Sequence, residues 1–400
     1  MPSPPRASHR LDKLSAYTHT AFFLTGVAVL MLGPLMPLFS RQWHLPDSQS
    51  GMLLTAQFVG SFTGAILLQH NLRKSLTLGS ISLAAGFSLL ALASYYSTGF
   101  PLAITGLLIG GFGVGQLVNT ISLITSHRAA ERRGAALMSL NLTWSAGALI
   151  TPLLIGLARG RLTLHTMLLL FAAAATLAML WQLTLTSEAP TLTESPTQPT
   201  STATRLLLYF AILFFLYGAL ENSITGWITT FTIRYAHTTT SAGAYSTTAL
   251  WIGILSGRSL ALLVLRRFSE RFVQRAAVVA MIVASAFLHL TTNANSLMLL
   301  AIVLGASMAP FLPITSSIFL GKVRSTSRQA GTVMASAALG GAILPLLVGI
   351  LSQHYGSLRF ALELPPAVGL LLLALCLFPP QALSHPPGER VFIPQIKPLS

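Results

Sequence analysis

One acidic residue, Glu221, lies inside an apolar stretch long enough to cross a membrane as a helix, within the segment YGALENSITGW at positions 217–227. An ionised side chain at the centre of a bilayer costs roughly 3 kcal/mol or more, so such residues usually face a wet cavity, a partner or a proton path. Burial also favours the neutral form of a carboxyl group. We therefore expect Glu221 to carry a proton. The alternative is a structural acid, bonded to the backbone or to Asn222, that holds a broken turn near Gly226.

One basic residue, Arg258, also falls within an apolar segment, at the end of WIGILSGR (251–258). It is expected roughly 10 Å from the end of its helix, at a different depth from Glu221, so the sequence does not predict a salt bridge between them. Arg258 could bind an anionic or hydroxylated solute, or pair with backbone carbonyls. The alternative is that its long side chain reaches back to the membrane surface.

Amide and aromatic side chains recur at helical spacing in other apolar segments. Gln116 and Asn119 are three residues apart, as are Asn141 and Trp144, so each pair shares a helix face. Amides beside aromatic rings suit polyhydroxylated solutes, whose hydroxyls need donors and acceptors and whose C–H faces stack on rings. The predicted substrate-binding residues are Gln116, Asn119, Asn141, Trp144, Tyr217, Asn222, Trp251 and Arg258.

For each amide the alternative is a hydrogen bond between helices, because such bonds hold membrane bundles together. Trp227 could instead belong to an aromatic belt at the membrane surface.

The composition defines the elements that must position these residues. Hydrophobic residues make up 53% of the 400-residue chain and charged residues 8%, which indicates a polytopic membrane protein rather than a soluble one. Apolar runs of about 20 residues recur along the chain, and continuous runs favour helices over a barrel. We predict twelve spans, at 16–39, 49–69, 76–96, 101–125, 134–158, 164–185, 205–234, 243–265, 276–293, 297–320, 330–353 and 359–380.

The net charge of +15 is explained by topology rather than by nucleic-acid binding. Most Lys and Arg fall in alternate segments that include both termini, which the positive-inside rule places in the cytoplasm. The opposite segments carry only Arg41, Arg159, Arg161, Arg234 and Arg359. Short loops without a glycosylation site favour a prokaryotic cytoplasmic membrane.

The two halves of the chain repeat each other at a constant offset of 193 residues. AQFVGSFTG (56–64) matches ALWIGILSG (249–257), and GALITPLLIG (147–156) matches GGAILPLLVG (340–349). Gly33 and Gly226 continue the same register. Small residues four apart let helix backbones approach closely. The pattern predicts two duplicated six-helix bundles.

A Pro, Ser and Thr-rich stretch separates the halves and is expected to be a flexible linker. The predicted domains are a cytoplasmic N-terminal segment (1–15), a first six-helix bundle (16–185), a cytoplasmic linker (186–204), a second six-helix bundle (205–380) and a cytoplasmic tail (381–400).

This organisation resembles the major facilitator superfamily of secondary transporters, over roughly residues 16–380. Local patterns are similar to the fucose permease group of sugar:proton symporters, namely YGALENSITGW in the seventh helix, WIGILSGR in the eighth, GGFGVGQLVN (110–119) in the fourth, and Pro310 with Pro313 in the tenth. The resemblance implies an all-α membrane fold of twelve helices in two pseudo-symmetric bundles, with a central cavity opened alternately to each side.

Two features depart from that family pattern. The segment GAILLQHNLRK (64–74) keeps Gly64, Arg73 and Lys74 but lacks the acid that the superfamily usually has there. The acids that the fucose permease uses in its first and fourth helices are also absent. Proton coupling must therefore rest elsewhere, and Glu221 is the favoured group.

The sequence thus predicts a proton-coupled symporter of a sugar or similar small polar organic solute, working as a monomer in the lipid bilayer, with solute and protons as partners. No cofactor, metal or nucleic acid is expected, and no enzyme signature is present. A drug or metabolite:proton antiporter of the same fold is an alternative, since a buried acid could receive a lipophilic cation. A membrane sensor that transports nothing is an alternative of another class.

Overall fold

The computed structural model describes residues 13–67, 71–129, 132–185, 201–288, 290–323 and 327–383, and this part of the chain is helical, without strands. The predicted domains 1–15, 186–204 and 381–400 lie largely outside the described residues. The helices are α1 (Lys13–Leu30), α2 (Leu32–Trp43), α3 (Asp47–Ile66), α4 (Leu72–Ala93), α5 (Phe100–Arg128), α6 (Arg133–Ala158), α7 (Leu164–Leu183), α8 (Ser201–Tyr235), α9 (Thr240–Val264), α10 (Glu270–Leu288), α11 (Ala294–Met308), α12 (Phe311–Lys322), α13 (Ser327–Tyr355), α14 (Leu358–Ala361) and α15 (Leu364–Leu377).

Ten segments of the described chain are long and apolar enough to cross a membrane, and the bent pair α1 and α2 makes an eleventh. The remaining predicted span corresponds to α3, whose 20 residues reach about 30 Å but include several polar side chains. The helices are therefore consistent with the twelve spans predicted from the sequence. We call α1–α7 the N-terminal half and α8–α15 the C-terminal half.

The first span is bent by 47° between α1 and α2. Pro34 lies just after the break, and because proline has no N–H it cannot bond to the carbonyl four residues earlier. The Gln57 side-chain amide of α3 donates to the Ala28 and Val29 carbonyls at 3.2 and 3.4 Å. A side chain from a neighbouring helix thus satisfies backbone groups in the last turn before the bend.

The repeated glycines make equivalent contacts in the two halves. At six of these glycines, which form three matched pairs, a backbone atom of the neighbouring helix lies where a Cβ would stand, so a larger residue requires the helices to move apart. The matched contacts are Gly60 to Leu108 and Gly253 to Ile302, Gly64 to Phe112 and Gly257 to Ala306, and Gly147 to Phe23 and Gly340 to Phe215. Gly33 and Gly226 meet each other where α2 crosses α8, between the halves.

The two halves are joined most firmly at one end, which we call the Asp47 end because α3 begins there and α8 finishes there. Arg234 of α8 donates to both carboxylate oxygens of Asp47, at 2.7 and 2.5 Å, and the Ser352 hydroxyl of α13 donates to the same carboxylate. Further from this end, the Thr55 hydroxyl donates to the Ala342 carbonyl at 2.7 Å. We call the opposite end, where α1 and α8 begin, the linker end.

Candidate functional site

The site begins at two partly exposed positions on α8, which we call the gap because the side chains on either side of them are buried. Between residues 216 and 232 every side chain of this helix is buried except Glu221 and Asn222, which are partly exposed. Glu221 lies within about two residues of the middle of the span 204–235, so the space beside it is deep in the bundle rather than at a membrane surface. α8 runs unbroken through Gly226, so the broken turn predicted there is wrong. The gap places one carboxyl group and one amide against an interior space.

Tyr217 precedes Glu221 by one helical turn, so the two side chains lie on the same face of α8. The Tyr217 hydroxyl donates to the Met308 carbonyl, 3.2 Å away, at the end of α11. A tyrosine has one hydroxyl proton, so while it donates to Met308 it can only accept from Glu221. Tyr217 stacks on Phe311, and because its hydroxyl proton is already donated to Met308 it has none left for a solute.

Arg258 crosses between the two halves. Its guanidinium donates to the Ser145 hydroxyl of α6 at 2.8 Å. Arg258 is about 9 Å from the linker end of α9, whereas Ser145 is about 18 Å from the linker end of α6. The side chain therefore reaches toward the membrane centre, and the alternative that it extends to the surface is wrong.

Arg258 and Glu221 do not form an ion pair with each other. The one ion pair whose two members both lie in the described chain is Asp47 with Arg234. No direct salt bridge joins Glu221 to Arg258, so the two ionisable groups are not paired with each other in this conformation.

Two tryptophans meet between the halves, on the same two helices that carry Arg258 and Ser145. Trp144 of α6 and Trp251 of α9 have ring centroids 5.4 Å apart and planes at 60°. Trp251 is 2% exposed, and its indole N–H has no hydrogen-bond partner among the described residues. A buried donor without a partner costs about 1–3 kcal/mol. Trp251 precedes Arg258 by seven residues and so lies on the same face of α9.

The predicted amides of the N-terminal half are spread over three environments. Gln116 is fully buried and donates to the Leu67 carbonyl at 2.9 Å, within its own half. Asn141 is exposed and donates to the Leu137 carbonyl of its own helix at 3.0 Å. Asn119 is partly exposed, bonds to the Ala65 carbonyl, and lies near Gly331 of the other half.

Asn222 donates to the Gly218 carbonyl at 2.8 Å and also packs close to Gly341 of α13. The structure therefore brings Arg258, Trp144 and Trp251 together across the two halves, and Asn119 approaches Gly331 nearer the linker end. Tyr217 and Asn222 make their contacts inside the C-terminal half, and Glu221 lies between them on α8. Gln116 and Asn141 lie outside this group, and their part in substrate binding stays a prediction.

Other residues of the interface were not selected from the sequence. Ser145 holds Arg258, and Asp47, Arg234 and Ser352 join the halves at the Asp47 end. The opposite charges of Asp47 and Arg234 at neighbouring helix ends are a signal that could have found that pair. Trp227, a candidate for an aromatic belt, is instead fully buried and donates its indole N–H to the Pro345 carbonyl at 3.0 Å.

Comparisons with known proteins agree with this architecture. The profile of the Major Facilitator Superfamily matches residues 18–323. The glucose/mannose transporter GlcP of Bacillus subtilis is 23% identical over 359 residues, covering 83% of this chain and 86% of that protein.

Solved structures of symporters share the fold. A D-xylose-proton symporter superposes with a TM-score of 0.74 at 14% identity, covering 91% of this chain and 96% of its own. The transporter FucP, in an outward conformation, gives 0.62 at 19% identity, covering 91% and 97%. The resemblance predicted from the sequence is confirmed, and the chain belongs to the Major Facilitator Superfamily of membrane transporters.

Proposed function

We propose that the protein is a proton-coupled symporter of a sugar or a similar small polar organic solute, working by alternating access. The observation that carries this proposal is the gap at Glu221 and Asn222 in an otherwise buried stretch of α8. The hydrogen bond from Tyr217 to Met308 supports a Glu221 that carries a proton, because it leaves Tyr217 only as an acceptor. The names of its relatives, a glucose/mannose transporter and a D-xylose-proton symporter, favour a sugar.

The contacts between the halves support the alternating-access part of the proposal. Asp47, Arg234 and Ser352 close the Asp47 end. Cross-half hydrogen bonds in the described chain extend from there to Arg258 and Ser145, near mid-membrane. We infer that the Asp47 end is extracellular and that this conformation faces the cytoplasm through the linker end. We further propose a monomer in a prokaryotic cytoplasmic membrane, with both termini inside and the domain boundaries predicted above.

The test is uptake into liposomes that contain only the purified protein, with and without an imposed pH gradient. We expect Glu221→Gln to remove proton-driven accumulation but to keep solute exchange, because glutamine fills the same space without carrying a proton. Glu363→Gln is the matched control, since Glu363 is an exposed carboxyl at the start of α15. Unchanged uphill transport by Glu221→Gln contradicts the proton role.

The choice of solute is tested separately by thermal stabilisation, because a ligand that binds only the folded state raises its stability. A screen over sugars, organic acids and amines is expected to give hits among hydroxylated solutes. Stabilisation by amphipathic cations alone supports the drug:proton antiporter instead. Absence of flux under every gradient supports a membrane sensor.

A further inference from the structure

Arg258 has more hydrogen-bonding capacity than its protein surroundings use. A guanidinium has five N–H donors, and the structure gives it one acceptor in the described chain, the Ser145 hydroxyl. The side chain is partly exposed although it points toward the membrane centre. A cation placed deep in a membrane protein without a bound carboxylate is costly, and such residues are retained mainly where they meet a partner.

Glu221 does not act as that partner. The described chain contains no ion pair between the two, and Tyr217, one turn before Glu221 on α8, donates its hydroxyl proton to Met308 instead. With Glu221 ionised, the empty site has no net charge. When Glu221 takes up a proton, Arg258 leaves the site with a charge of about +1. A neutral solute would keep that charge buried, whereas a monoanion would cancel it.

The neighbouring groups describe the rest of the ligand. Trp251 offers a buried indole N–H without a partner among the described residues, and Trp144 lies against it. Asn222, next to Glu221 on α8, is partly exposed and packs close to Gly341 of α13. An indole N–H and an amide suit hydroxyl groups, and the aromatic planes suit the C–H face of a carbon chain or ring.

From these observations we infer that the solute is a small hydroxylated monocarboxylate, of the sugar-acid class, whose carboxylate binds the Arg258 guanidinium between the two halves. One of its hydroxyls accepts from the Trp251 indole N–H on the same face of α9. The inference rests on the proposed symport function, and it replaces a neutral sugar with an acidic one. A guanidinium and a carboxylate form two parallel hydrogen bonds, a geometry that lysine cannot reproduce.

The experiment measures thermal stabilisation of the purified full-length protein by D-gluconate, D-glucuronate and D-glucose at matched ionic strength. We expect the two acids to stabilise the protein at concentrations roughly 10- to 100-fold lower than glucose, the range of a charge-assisted hydrogen bond. Arg258→Gln should remove this preference, and Arg258→Lys should restore it only in part. Arg161→Gln, which removes an exposed arginine, is the control and should leave the preference unchanged.

Different outcomes separate this inference from the proposed function. Stabilisation by glucose that equals or exceeds that by the acids, with Arg258→Gln unaffected, overturns the sugar-acid inference but leaves a sugar symporter standing. Binding of acids that persists in Arg258→Gln also overturns it. If uptake of gluconate under a pH gradient disappears in Glu221→Gln while gluconate still stabilises that variant, the inference is supported and the proton role is supported with it.

Discussion

The two halves of the molecule share one scaffold but carry different chemistry. The repeated glycines make the same contacts in both, for example Gly147 to Phe23 and Gly340 to Phe215. At the same offset, however, the positions equivalent to Glu221 and Arg258 are Ala28 and Ala65. The charged groups of the interface near mid-membrane thus come from the C-terminal half, while the N-terminal half offers Ser145, Trp144 and Asn119. Duplication explains the architecture that the two halves share. The positions at which their residues differ mark the candidate site.

The largest expected effect comes from moving the acid to the equivalent position. In a Glu221→Gln background, Ala28→Glu should not restore proton-driven uptake, because Ala28 is 5% exposed and has an alanine, Ala65, where Arg258 stands in the other half. The new buried carboxyl should also lower the thermal denaturation midpoint, since an unpaired buried charge is costly.

Uptake and thermal denaturation of the double variant measure both effects. The matched control is Ala28→Gln in the same background, which adds similar bulk without charge. Recovery of uphill transport by the protein carrying Ala28→Glu would show that either half can carry the acid. It would contradict the claim that the two halves differ in chemistry.

A smaller effect is expected at the shared scaffold. Gly147→Ala and Gly340→Ala should each destabilise the protein by roughly 1–3 kcal/mol, because the added methyl meets a backbone carbonyl of the neighbouring helix. The two losses should be similar if the contacts are truly equivalent. Thermal denaturation checks this, with Gly134→Ala as control because nothing lies within 4 Å of its added Cβ. A large loss of stability in only one of the two variants would contradict the structural equivalence of the two contacts.

The smallest effect is expected at the contact that joins the halves at the Asp47 end. The side chains of Arg234 and Asp47 are 40% and 12% exposed, so water screens the pair, and its loss should cost only about 0.5–1 kcal/mol. Asp47→Asn should therefore shift the conformational balance a few-fold toward opening of this end.

Labelling of a cysteine introduced at Ser50, which is 2% exposed beside this contact, reports the shift. A charge exchange, Asp47→Arg with Arg234→Asp, should return labelling toward the parent value. Equal labelling in all three proteins would show that the ion pair does not hold the end closed.

The sequence predicted the fold for physical reasons, and it singled out two charged residues whose roles stay predictions. Apolar length determines where spans lie, and Glu221 and Arg258 are conspicuous because ionisable groups are rare within such spans. Helix spacing could not decide which way an amide faces. Gln116 and Asn119 differ by only three residues, yet one is buried in its own half and the other approaches Gly331.

Contacts between distant helices were the least predictable. Asp47 and Arg234 are far apart in the chain, and their meeting depends on how the two halves are tilted in this conformation. Gly226 was predicted to break α8, but it instead provides room for Leu54. The bend in the first span follows from Pro34, but the compensating contact from Gln57 required a neighbouring helix that local sequence does not identify.

The most direct test of the account is the accessibility of the gap beside Glu221. Cysteines introduced at Asn222 and Ser223 are adjacent on α8, but Asn222 is partly exposed and Ser223 is fully buried. A membrane-permeant but water-reactive thiol reagent should modify the Asn222→Cys protein, with protection by a bound solute, and should leave Ser223→Cys unmodified. Equal reactivity at the two positions, or no reaction at either, would contradict a water-filled site at this point of the helix.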